Sequence, residues 1–137
     1  MRKITEIIVH CTATIEGYDF GLEDVDRWHR EQNYNGIGYH YLIDIHGNIL
    51  KGRDEEIPGA HVVGRNANSI GVCYVGGLGV DSKPKDTRNP AQKNALEGLL
   101  VSLLMKYPES TIHGHNEYSN KACPSFCVAD EYGHLNK

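Results

Sequence analysis

The sequence has no long hydrophobic run: nothing in its 137 residues approaches the roughly 20 apolar positions that cross a bilayer. The apolar stretch nearest the start, Ile7 to Val9, is far shorter than the hydrophobic region of a secretory signal. No membrane partner is expected, and the chain reads either as cytoplasmic as synthesised or as a trimmed form. Blocks of like charge and Pro/Gly-rich linkers are also missing, which argues against disorder and against a split into two domains. Positive charge is not in excess. Lys and Arg number 14 against 18 Asp and Glu, a net charge of −4. That is poor footing for neutralising phosphates, so nucleic acid is not expected as the main partner. Cysteine is sparse, at positions 11, 73, 123 and 127. An even count would allow two disulfides in an oxidising compartment. Without an export signal, reduced cysteines serving as small buried residues, metal ligands or nucleophiles are favoured.

What remains suits one domain, residues 1–137. A chain of this length buries about two-thirds of its unfolded surface, and 39% apolar with 23% charged residues is the composition of a globular protein. "TEIIVH" reads as a buried strand over residues 5–10 that delivers His10 to its C-terminal end, where α/β folds commonly place their sites. "GLEDVDRWHREQ" (21–32) sets Leu22, Val25, Trp28 and His29 at helical spacing, with Glu23 and Asp24 in the first turn, where the helix dipole favours acids. "YHYLIDI" and "ILKGR" flank the turn "HGN", predicting a hairpin of residues 39–45 and 49–52. Strand alternation there puts Tyr39 and Tyr41 on one face and His40 on the other. "SIGVCYVGG" (69–77), apolar on both parities, belongs at the centre of a sheet. In residues 89–108, Asn89 caps a helix, Pro90 takes its first position and Leu96, Leu99, Leu100, Leu103 and Leu104 form its apolar stripe until Pro108. "STIHGH" forms a short strand ending in His115, and "VADEYGHL" a final helical turn. The class is α/β: a single domain with a central mixed sheet flanked by helices.

Zinc takes imidazole nitrogen and thiolate sulfur, with three protein ligands at a catalytic site and four at a structural one. His115 and Cys123 are eight residues apart across a loop, close enough to bend onto one ion. His10, at a strand end, can supply a third ligand, and Cys11 beside it points to the opposite face. A closed set of His113, His115, Cys123 and Cys127 is the rival assignment, its spacing also acceptable for structural zinc. Disulfides joining Cys123 to Cys127, or Cys11 to Cys73, also stand open, as does the ordinary case of histidines that merely hydrogen-bond.

The segments "IIVHCTAT", "WHREQ", "GIGYHYLI", "HGNILKGRDE", "NSIGVCYVGG", "NPAQ" and "NKACPSF" occur in an order that closely resembles phage lysozymes of amidase type. These are zinc-dependent N-acetylmuramoyl-L-alanine amidases that share a fold with the peptidoglycan recognition proteins. The resemblance runs from about residue 5 to residue 127. It implies zinc held by His10, His115 and Cys123, and catalytic roles for Tyr39 and Lys121. It also implies hydrolysis of the amide between N-acetylmuramic acid and L-alanine, with peptidoglycan as partner and a monomer acting on the cell wall after release, as endolysins do. His61 follows the same pattern, in the loop before the central strand. With Arg65, Asn66 and Asn68 it offers donors for substrate. The chain reads "HNE" where the family pattern has "HHE", and Cys127 has no role by resemblance. The alternative is a non-catalytic peptidoglycan-binding module. Relatives of that kind have lost the cysteine ligand, and Cys123 is present here.

Overall fold

The computed structural model describes residues 2–136. Its frame is a five-stranded sheet in the order β4-β3-β5-β1-β7, with β1 Glu6–Cys11, β3 Tyr41–Ile43, β4 Ile49–Lys51, β5 Ser69–Tyr74 and β7 Thr111–Gly114. β3, β5, β1 and β7 run parallel and β4 is antiparallel, giving the mixed sheet expected of an α/β chain that contains one hairpin. A small parallel pair, β2 Thr14–Ile15 with β6 Gly77–Leu78, extends beyond the ends of β1 and β5.

Strand alternation sorts the core into two layers. Ile7, Val9 and Cys11 of β1 and Ile70, Val72 and Tyr74 of β5 face α2 (Pro90–Lys106), meeting Leu96, Leu99, Leu100 and Leu103. Leu42 and Cys73 face α1 (Leu22–Glu31), whose Val25 is buried among them with Leu22 and Trp28 alongside. Full burial of each such aliphatic side chain is worth about 1.5–3 kcal/mol. Asn89 caps α2 by accepting from the Gln92 amide at 2.8 Å, and its own amide reaches the Ile45 carbonyl at 2.7 Å, tying the helix start to the β3–β4 turn. α3 (Val128–Tyr132) packs on the α2 side. Among the described residues no helix is long and apolar enough to cross a membrane.

The hairpin is shorter than its sequence suggests, and the two tyrosines do not share a face. Tyr39 packs with Leu42 and Cys73, whereas Tyr41 packs with the α2 layer and donates from its hydroxyl to Glu55. Consecutive carbonyls, Tyr39 and His40, accept from Arg53 and Gly52, so the strict alternation of a ladder is lost just before β3. β5 is fully buried and central, as its double-sided apolar pattern predicts. The outer edge of β7 is met by a side chain: Asn136 accepts from the Ile112 amide at 2.8 Å and donates to its carbonyl at 3.4 Å.

Candidate metal centre

β1, the turn after β7 and the loop before α3 converge at one end of the sheet. His10 lies near the end of β1 on the α1 side, opposite Cys11, and is almost fully buried. His115 opens a one-turn 3-10 helix immediately after β7. Cys123 follows in the next loop, its Sγ accepting from the Cys11 amide at 3.2 Å. The ligand atoms of His10, His115 and Cys123 all lie within 4.8 Å of one another, the single such group of three among the described residues. Nδ1 of His10 is 3.9 Å from the Cys123 sulfur. Nδ1 of His115 is buried and has no hydrogen-bond partner among the described residues. A buried nitrogen left without a partner is costly, and a cation shared with an adjacent imidazole and thiol would satisfy it.

The electrostatics suit ligands. Burial, then His61 and His115, hold the His10 imidazole well below its ordinary pKa. Burial and the Lys121 ammonium do the same to His115. Both rings are therefore neutral near pH 7 and can offer lone pairs. Contact with the Cys11 thiol and burial push the Cys123 thiol up, and a bound cation reverses that trend because metal ligation favours thiolate.

A cleft of about 250 Å³ opens over this group, lined among others by Trp28, His29, Tyr34, Tyr39, His61 and Lys121. It shares Tyr34, Ala60, His61, His115 and Lys121 with an adjoining groove of about 430 Å³ that carries Asn66, Tyr118 and Ser119. The Tyr39 ring centroid is 5.0 Å from that of His10, and burial holds its phenol well above the usual pKa, so it keeps its proton. Lys121 is exposed at the rim.

Of the loop residues singled out from sequence, His61 and Asn66 line the cleft and groove, while Arg65 and Asn68 do not. Arg65 pairs with Glu6 at 3.0 Å and covers the Tyr118 ring, and Asn68 donates to the Lys3 carbonyl at 2.8 Å. Both border a separate polar recess with Thr5 and Thr111. The closed four-ligand set does not assemble. His113 is engaged by Thr111 Oγ1 at 2.6 Å and Glu117 at 3.0 Å, and Cys127 is exposed at the start of α3. All four cysteines are free thiols, with Cys11 and Cys73 in opposite layers of the core. His29 and Trp28, which the sequence places on the apolar stripe of α1, both line the cleft. Nδ1 of His29 accepts from the Gly38 amide at 2.8 Å, a contact outside its own helix, which leaves Nε2–H as its donor.

A family profile described as N-acetylmuramoyl-L-alanine amidase matches residues 1–126. The endolysin of Escherichia phage T7 is 46% identical over 128 residues, spanning 91% of this chain and 83% of that protein. N-acetylmuramoyl-L-alanine amidase LysC from Clostridium intestinale superposes with a TM-score of 0.83 at 26% identity, over 98% of this chain and 87% of the other. Drosophila PGRP-LB superposes at 0.81 with 21% identity, over 98% and 84%, a likeness of fold.

Proposed function

The chain belongs to the N-acetylmuramoyl-L-alanine amidase family, and from that premise we propose that it is a zinc enzyme whose metal is held by His10, His115 and Cys123. It hydrolyses the amide between the lactyl group of N-acetylmuramic acid and L-alanine of the stem peptide in peptidoglycan, as an endolysin. The observation that carries the zinc assignment is the convergence of ligand atoms from His10, His115 and Cys123 within 4.8 Å, beside a buried His115 Nδ1 that has no hydrogen-bond partner among the described residues. One sulfur and two nitrogens with a cleft on the open side are the donor set of a catalytic zinc site.

When bound there, zinc polarises the amide carbonyl and makes water a competent nucleophile near neutral pH. The chain's own groups do the rest. Lys121, at the cleft rim, places an ammonium where negative charge develops on the carbonyl oxygen, a contribution of about 3–4 kcal/mol for one well-aimed donor. Tyr39, held as a phenol, donates a hydrogen bond towards the reacting oxygen or passes a proton to the leaving amine. Asn66, in the adjoining groove, is assigned to the muropeptide. Arg65 and Asn68 would bind substrate only where it extends over the neighbouring recess. All these groups come from one chain, so the proposed site needs no second copy, and as an endolysin the protein acts on the wall.

Zinc content, measured together with release of L-alanine amino termini from cell walls with and without a chelator, tests this reading. We expect stoichiometric zinc and chelator-sensitive release. Cys123→Ser should lose both metal and activity, and Cys127→Ser should retain both. New reducing sugar ends in place of new amino termini would overturn the amide assignment. Equal zinc loss in the two variants would overturn the ligand set. Wall binding without release would point to a recognition module.

A further inference from the structure

Both nitrogens of the His61 ring are spent within the protein. Nδ1 lies 2.8 Å from His10 Nε2, and Nε2 lies 3.2 Å from Oγ of the fully buried Ser69. We infer that His61 is a positioning residue: a Ser69–His61–His10 hydrogen-bond chain decides which nitrogen of His10 faces the metal. This inference rests on the zinc reading and replaces the substrate contact that the position of His61 in its loop suggests.

The logic follows from proton counting. His10 turns Nδ1 towards the Cys123 sulfur, and a neutral imidazole offers a lone pair at Nδ1 only when its proton sits on Nε2. That Nε2–H then donates to His61 Nδ1. His61 must in turn carry its own proton on Nε2, which donates to Ser69 Oγ. Each ring therefore has one permitted tautomer. A hydrogen-bonded outer partner of this kind orients a metal-bound histidine and raises its basicity.

The surroundings hold the His61 ring in place. A Cβ on Gly71 would stand 2.8 Å from His61 Cδ2 and 3.0 Å from Nδ1, and one on Gly59 would stand 2.6 Å from Cδ2. The ring thus rests on bare backbone at two points. Asn66 Oδ1 accepts from the amides of His61 and Val62 at 2.9 and 3.0 Å, fixing the main chain from which the ring projects. Gly71→Ala would push the ring off its seat.

Long-range proton–nitrogen NMR of zinc-loaded protein with labelled histidine reads the tautomers directly. We expect both His10 and His61 to be protonated at Nε2. A His61 ring protonated at Nδ1 overturns the inference while leaving the zinc site standing, whereas absence of zinc from the wild-type protein overturns the zinc reading itself. Zinc affinity by chelator competition gives the second readout. His61→Leu should weaken binding about 10- to 100-fold. His61→Asn, whose side-chain oxygen can accept from His10 Nε2, should restore much of that loss, and Gly71→Ala should weaken binding as Leu does. Unchanged affinity in His61→Leu, or no recovery with Asn, overturns the inference. If His61→Leu does not fold, the wild-type spectrum decides alone.

Discussion

Lys121 sits two residues before a proposed ligand, exposed at the rim of the cleft. Its charge is nevertheless felt at the centre, where it helps keep His115 and His10 neutral. Lys121→Ala should keep full zinc content and lower turnover about 10²-fold or more. Turnover equal to wild type at saturating substrate would remove Lys121 from the mechanism. The residue types of the site are legible in the sequence, but their selection is not. His113 and His115 share a strand parity, and Cys123 and Cys127 are equally placeable. What separates them is that His113 is occupied by Thr111 and Glu117, while His115 Nδ1 is left bare. Tyr39 and Tyr41 show the same limit. Period-two reasoning put them together, and two consecutive carbonyls accepting from Gly52 and Arg53 set them apart.

At the scale of elements, strong local patterns translate directly. α2 begins at Pro90 behind the Asn89 cap and carries the expected leucines inward, because cap, first-turn proline and apolar stripe agree. Loops carry no such pattern. In the segment 61–68, whose polar side chains the sequence offers as substrate donors, the backbone folds back on itself. Asn66 turns inward to clip His61 and Val62, while Arg65 and Asn68 turn to Glu6 and the Lys3 carbonyl. No periodicity announces such a division. Asn89 offers a test of element-level accounting, since it serves both α2 and the Ile45 carbonyl. Asn89→Ala should lower unfolding stability by about 1–2 kcal/mol in denaturant titrations with zinc affinity unchanged. A loss below a few tenths would mean that the cap contributes little here.

For the whole molecule, five histidines are neutral by burial: His10, His29, His40, His61 and His115 all have lowered pKa values, His61 at about 3. The same rings take protons near pH 6.5 once unfolded. Between that pH and the lower folded values the unfolded chain binds more protons than the folded one, so stability is full above about pH 6.5 and falls as pH falls. Each fully displaced ring costs roughly 1.4 kcal/mol per pH unit. Glu55 and Asp86, whose carboxyls are lowered in the fold, extend the loss further into acid. Thermal melts of zinc-free protein should show Tm declining steadily from pH 6.5 to 4, and a flat profile there would contradict this account. The strand order adds a dimension of time. β1 is made first yet lies between β5 and β7, and its His10 meets a cysteine that follows 113 residues later. During synthesis the proposed metal centre therefore stays unfinished until the loop carrying Cys123 has emerged. A chain cut short before Cys123 would lack a proposed ligand and should release no L-alanine amino termini from cell walls.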